Sequence, residues 1–191
     1  MKNQKIIFII LLIVIMACLP FVIEKESTIN LLILILLYVI LATSWNILGG
    51  YTGQTSLGHA AFFGLGSLAT RLLWVKGVHI IPSILVGSLL AVAFALLIGA
   101  PAFRLKGVYF AIGTLALAEI LNVTVGNLFP EIASLPIKQL VGYQLLPRYY
   151  ALLGLAVLII GGSYLLVNSK IGLGMMAVRE EEDAAESLGV S

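Results

Sequence analysis

Residues 49–66 read GGYTGQTSLGHAAFFGLG. Six of these 18 positions are glycine, Thr52, Gln54, Thr55, Ser56 and His59 stand among them, and Lys, Arg, Asp and Glu are absent. Uncharged hydroxyl, amide and imidazole groups suit the passage of a polar solute by hydrogen bonds. The run lies between two apolar stretches, where a plain aqueous loop would usually carry charge. At membrane depth a Gly-rich polar break is tolerated only where protein or a water-filled cavity covers the backbone. Broken helices of that kind mark substrate paths in transporters. Two readings stand. One is a discontinuous helix beside a translocation path, with Gln54, Ser56 and His59 as its candidate residues. The other is a tight loop packed for helix–helix contact, with His59 an ordinary hydrogen-bonding residue.

The second chemical feature is Glu119, inside the apolar run Val108–Phe129. A carboxylate at the bilayer centre costs ~2.5–3.5 kcal/mol on insertion scales, so it is expected to face protein or water. Asn122 and Gly126 follow one and two turns later on the same side. This polar stripe lines the path or an interface in one reading; in the other, Glu119 is a neutral carboxyl hydrogen-bonded to a neighbouring helix. Proton coupling would want a second intramembrane ionisable group. Arg71 is the candidate, and it could equally snorkel to the surface.

Other chemistries are excluded. No nucleophile–base–acid set appears, and no lysine loop of the kind that cradles phosphates, so no enzyme activity is expected. Gly64-Leu65-Gly66-Ser67-Leu68-Ala69 imitates a dinucleotide fingerprint, but no strand precedes it and no βαβ unit fits around it. The one cysteine, Cys18, excludes an internal disulfide framework and a multi-cysteine metal site. No metal or cofactor is expected.

The elements that must position these residues are apolar. The chain has 191 residues, 61% hydrophobic and 10% charged, with a mean hydropathy of +1.12. A soluble domain runs nearer ~45–50% apolar and ~25% charged. An ordinary soluble enzyme, a nucleic-acid-binding domain and a disordered tail are therefore excluded. The stretches Ile6–Ile23, Ile29–Leu48, Ala60–Val75, Ile80–Ala100, Val108–Phe129 and Tyr149–Val167 predict an all-α, multi-pass membrane bundle of about six helices, read as one domain over residues 1–191. The third stretch is short. Lys2 and Lys5 before Ile6–Leu19 imitate a signal peptide, and Ile15–Cys18 faintly imitates a lipoprotein site. Five further stretches favour a first transmembrane helix ending near Pro20 and the polar stop Glu24-Lys25-Glu26. Gly87, Ala91, Ala95 and Gly99 form a small-residue ridge for close helix packing.

Charge is distributed unevenly. Residues 1–179 carry 11 bases and four acids, a balance of +7; the last 12 residues carry five acids and no base, a balance of −5. With the N-terminus inside, six bases fall in inner segments and five in outer ones (Lys25, Arg71, Lys76, Lys138 and Arg148), a weak bias toward that orientation. Met175–Leu188 is expected to be one amphipathic helix stopped at Gly189, with Met175, Val178, Ala185 and Leu188 on one side. Its acidity disfavours anionic lipid and favours a protein groove.

Three blocks carry a resemblance. The first is Asn46-Ile47-Leu48-Gly49-Gly50-Tyr51-Thr52-Gly53-Gln54-Thr55-Ser56-Leu57-Gly58-His59-Ala60-Ala61-Phe62-Phe63-Gly64. The second runs from Leu105-Lys106-Gly107-Val108-Tyr109-Phe110 through Thr114-Leu115-Ala116 to Glu119-Ile120. The third runs from Ser169-Lys170-Ile171-Gly172 through Ala177-Val178-Arg179-Glu180 to Ala184-Ala185-Glu186-Ser187-Leu188-Gly189. In this order they resemble the LivM-type permease subunits of branched-chain amino-acid ABC importers. Asp183-Ala184-Ala185 with Gly189 is similar to the cytoplasmic E-A-A-x-x-x-G signature of importer permeases, with Asp where Glu is usual.

The resemblance implies an ABC-importer permease fold in a bacterial inner membrane, of which this sequence looks like the N-terminal portion. It implies a paralogous permease subunit, two ABC ATPase subunits, an extracytoplasmic substrate-binding protein and the lipid bilayer as partners, and no nucleic acid. It makes residues 168–191 a cytoplasmic coupling segment, with Arg179, Asp183, Ala184, Ala185 and Gly189 as candidates for ATPase coupling. The implied function is branched-chain amino-acid import driven by ATPases in trans. The alternative is an ATP-independent secondary transporter or channel that uses Glu119.

Overall fold

The computed structural model describes residues 2–23, 25–130 and 144–190. Its elements are α1 (Lys2–Val22), α2 (Glu26–Asn46), a π-helical turn (Ile47–Tyr51), α3 (His59–Val75), α4 (Ile80–Ala102), α5 (Val108–Leu128), α6 (Leu145–Val167), α7 (Lys170–Glu180) and α8 (Glu182–Ser187). Among the described residues there is no strand. Each apolar stretch becomes a helix, because only a helix satisfies its own backbone in lipid. Four helical runs are long and apolar enough to cross a membrane: Glu26–Tyr51, Ile80–Ala102, Val108–Leu128 and Leu145–Val167. At 17 residues α3 spans about 26 Å, short of the ~30 Å hydrocarbon core. Glu24 and Lys138, counted above in the polar stop and the outer charges, lie outside the described residues.

The described residues divide into two compact units. The first comprises α1, α2, α6 and the start of α7. Its core is Ile29, Leu36 and Ile40 of α2 against Tyr149, Leu153 and Ala156 of α6. These recur at three-, four- and seven-residue spacings, one stripe on each helix. Pro20 has no N–H, so it cannot bond the Met16 carbonyl four residues earlier. The fully buried Tyr149 donates its hydroxyl to that carbonyl at 2.6 Å, and Tyr150 donates to the Ala17 carbonyl at 3.0 Å. At the start of α7 the Ser169 hydroxyl caps the third helical N–H, that of Gly172, at 3.4 Å. A Cβ on Gly172 would strike the Val167 carbonyl, so a side chain there would spread this turn.

The second unit runs from Leu48 through α5 and resumes at Met176. Here α3 and α4 form a closely packed antiparallel pair. Gly87 is buried where a Cβ would run into Thr70 Oγ1 and the Gly66 carbonyl, and Gly66 in turn lies against Ala91. Half of the small-residue ridge on α4 thus meets α3. The Thr70 hydroxyl reaches the carbonyls of Gly66 at 2.8 Å and Ser83 at 3.3 Å. Gly107, in the left-handed region at φ +57°, turns the chain into α5.

The C-terminal segment differs from the single helix expected over Met175–Leu188. Glu181 is extended and separates α7 from α8. Four consecutive acids, Glu180 to Asp183, repel one another within one helix, whereas Glu182 and Asp183 in the first turn of α8 face the positive end of its dipole. Ala185 is therefore buried while Leu188 is 85% exposed, so the two do not share a covered side. Gly189 does stop the helix. At φ +86° its N–H bonds the Glu186 carbonyl and that of Val190 bonds the Ala185 carbonyl, both at 3.0 Å. This is the Schellman pattern, which only glycine adopts without strain.

Candidate functional site

The helical break is shorter than its glycine content suggests. Helix α2 continues through the π-helical turn to Tyr51, and α3 begins at His59, which leaves residues 52–58 irregular. Irregular backbone packed against helices needs hydrogen-bond partners, and α5 supplies them. The Leu57 N–H donates to Thr114 Oγ1 at 3.1 Å, and that hydroxyl donates to the Ala111 carbonyl at 3.0 Å. The Gly58 N–H donates to Ser56 Oγ at 3.4 Å, with Ser56, Gly58 and Thr114 all buried. A Cβ on Gly58 would lie 2.6 Å from the Thr114 carbonyl oxygen, so only glycine lets the two backbones come this close. Nearer its start the break closes on itself, the Gln54 N–H and the Thr52 hydroxyl both reaching the Leu48 carbonyl.

Three cavities surround this construction, all within the second unit. One of about 380 Å³ lies between α3, α4 and α5 and is almost wholly apolar, with Ser56 and His59 at its wall and Ala91, Ala95 and Gly99 opposite. His59 Nδ1 is buried there without a hydrogen-bond partner, and the ring meets Phe62 edge-on at 6.4 Å. A second, of about 530 Å³, is polar and is lined by Thr52, Gln54, Thr55, Lys106, Arg179 and Glu182. The third, of about 960 Å³, runs between α3 and α5 and is lined by Arg71, Trp74, Glu119 and Asn122 among others.

The C-terminal segment meets the break directly. Arg179 donates from Nη1 to the Gly50 carbonyl at 3.0 Å, and its Cγ lies 3.0 Å from where a Cβ of Gly53 would stand. Gly53 is left-handed at φ +73°, so a side chain there would be both strained and crowded. Lys106, between α4 and α5, bridges to Asp183 at 3.1 Å and to Glu182 at 3.5 Å. The hydrogen bond to Asp183, then the charges of Asp183 and Glu182, raise the Lys106 ammonium above its ordinary range.

Over residues 27–191 the sequence matches the family described as branched-chain amino acid transport system, permease component. The chain belongs to that family. It is 31% identical over 126 residues to the high-affinity branched-chain amino acid transport system permease protein LivM of Escherichia coli (strain K12), and 30% identical over 126 residues to the protein of the same name from Salmonella typhimurium (strain LT2). Each match covers 65% of this chain and 29% of the relative, so the matched stretch is under a third of the relatives' length. No solved structure matches.

In this permease-family chain the five candidate path residues do not converge. Ser56 and His59 share the apolar cavity, Gln54 lines the polar one, and Glu119 and Asn122 line the largest. Of the candidate coupling residues, Arg179 turns toward the glycine-rich break and Asp183 toward Lys106. Ala185 is buried, Ala184 is exposed, and Gly189 ends α8. Sequence reasoning missed Thr114 as the anchor of the break and Lys106 as the partner of the acidic run. A hydroxyl inside an apolar helix and a lone base in a short loop were the available signals; neither names its partner.

Proposed function

We propose that this chain forms part of a permease subunit of an ABC importer that carries branched-chain amino acids across a bacterial inner membrane. In this reading it acts with a paralogous permease, two ATPase subunits and a substrate-binding protein outside, and carries out no catalytic step itself. Residues 168–191 are its cytoplasmic coupling segment, and Gln54, Ser56, His59, Glu119 and Asn122 belong to its path. The observation that carries the reading is the joint seating of the break and the C-terminal segment. Arg179 of α7 holds the Gly50 carbonyl and Lys106 holds Asp183 of α8, so displacement of the C-terminal segment as a whole acts on both stretches that frame the polar cavity. Nucleotide and cargo must each prefer one of two such arrangements for either to drive the other.

Uptake of leucine by vesicles containing the full-length permease and its partners is expected to require ATP. Uptake that survives ATP depletion and follows a proton gradient would overturn the reading in favour of a secondary transporter. The docking assignment has its own check. Ala185 is a poor probe, because it is buried within this chain, whereas Leu188 is 85% exposed. Leu188→Asp is expected to reduce co-purification of the ATPase at least tenfold. Undiminished recovery would remove α8 from the interface.

A further inference from the structure

We infer that the apolar cavity between α3, α4 and α5 is the subsite that receives the branched aliphatic side chain of the cargo and selects it by size. The inference rests on the import reading above, which puts Ser56 and His59 in the path, and names the part of the solute that lodges beside them. The cavity holds about 380 Å³. That lies within the ~300–1,000 Å³ of small-molecule sites, and an apolar cavity of only ~150 Å³ stays dry and takes up benzene. Its wall is made of methyls, methylenes and rings, among them Phe62, Val92, Ala95, Phe110 and Leu117. Of the three cavities described, it is the one with no charged residue in its lining.

The space follows from how the small-residue ridge of α4 is divided. Small residues in a membrane helix ordinarily let a neighbouring helix approach, and Gly87 and Ala91 do so with Gly66 of α3. One and two turns beyond Ala91, Ala95 and Gly99 border open volume instead. A Cβ on Gly99 would meet the Phe103 ring at 3.5 Å, an ordinary contact, whereas one on Gly87 would strike Thr70 and the Gly66 carbonyl. The difference arises at the break. Leu57 and Gly58 close on Thr114 of α5, so this end of α3 is tied to α5 and the rest of the ridge keeps its room. The hydroxyls at the wall are turned to the same task, Thr114 Oγ1 accepting from the Leu57 N–H and Ser56 Oγ from the Gly58 N–H. His59 Nδ1 is buried at the wall without a hydrogen-bond partner, which marks the place as something other than self-satisfied packing. Hydrocarbon is what remains for a ligand to touch. A missing methylene in a hydrophobic pocket changes binding ~10–200-fold, and leucine exceeds alanine by an isopropyl group.

The test uses the full-length permease in its assembled transporter, purified without binding protein, because a binding protein would impose its own selectivity. Affinities for radiolabelled leucine and radiolabelled alanine are each measured at equilibrium. The wild type is expected to bind leucine at least tenfold more tightly than alanine. Ala95→Leu should weaken leucine at least tenfold and leave alanine nearly unchanged. Ala95→Val should give a smaller loss of the same kind, and Gly99→Val, which narrows the same wall one turn away, should repeat the pattern. Leu96→Phe adds bulk on the outer face of α4 and should change neither affinity. A variant that merely misfolds loses both amino acids together, and the graded series at Ala95 separates the two cases. Equal losses of leucine and alanine in all three cavity variants would overturn the inference, as would leucine binding indifferent to all three. So would release of a co-purified lipid by Ala95→Leu with leucine binding intact, which would give the space to an acyl chain. No leucine binding by a wild-type transporter that carries out ATP-driven uptake would also overturn it. Absence of ATP-driven uptake by the wild type would instead count against the import reading.

Discussion

At the scale of single residues, the contacts that fix this chain are backbone groups that side chains either complete or crowd. Pro20 leaves the Met16 carbonyl open and the Tyr149 hydroxyl closes it at 2.6 Å. Tyr149→Phe is expected to destabilise the protein by about 1–3 kcal/mol, the cost of one buried unsatisfied acceptor. In a Pro20→Ala background the N–H of residue 20 takes that carbonyl, so the same change should cost less; thermal melts of the four proteins in detergent give the coupling. Identical losses in both backgrounds would disprove the link. At Gly87 the crowding is severe, because the atoms facing a new Cβ include the Gly66 backbone. Gly87→Ala should cost about 1–3 kcal/mol by forcing α3 and α4 apart, and an unchanged melting temperature would refute the close approach. The sequence announces the proline and the small-residue ridge, since each is a local property. It does not announce who answers them: Tyr149 lies 133 residues from Met16, and nothing in its own neighbourhood marks it as a donor.

At the scale of elements, periodicity and composition foretell the helices well and their interruptions poorly. All six apolar stretches are helical, yet the π-helical turn carries α2 three residues into the glycine run, and Glu181 divides the expected terminal helix. Both departures arise from competition between local preference and outside partners. Glycines permit the wider turn, and the acids of α8 gain Lys106 by leaving the axis of α7. The Lys106 ammonium has a folded value raised above 10.5 by the Asp183 hydrogen bond and the two nearby carboxylates. Its contribution to holding α8 is therefore complete below the unfolded value of 10.5 and is lost as pH rises through the raised one. Methyl-labelled lysine resonances should show Lys106 titrating above 10.5, and Asp183→Asn should bring the midpoint down. A midpoint indifferent to Asp183→Asn would remove that bridge from solution. High salt should loosen α8 in the same sense, because the pair is exposed.

At the scale of the whole molecule, the described helices present two kinds of outward surface. The outer face of α4 is aliphatic, with Leu89 at 69% and Leu96 at 74% exposure. The walls of the α3–α5 cavity instead offer Ser67, Arg71, Glu119 and Asn122. Polar groups at membrane depth face water or protein, so the second surface is expected to be wet or covered by protein. With Cys18 replaced by Ser, a cysteine at Ser67 should react with a water-soluble maleimide in the assembled transporter, whereas one at Leu96 should not. Equal reactivity at both positions would show that the two surfaces share one environment. Composition alone reveals that the molecule is built for lipid. The division of Gln54, His59 and Glu119 among three cavities depends on how α3, α4 and α5 cross, which no short window of sequence encodes. The proline near the end of α1 has a further consequence, in time rather than space. The ribosome delivers the open carbonyl long before it delivers the tyrosine that answers it, so the first helix is made before that donor exists. Until α6 is made, the Met16 carbonyl lacks its tyrosine, and the last-made long helix of the first unit completes the earliest.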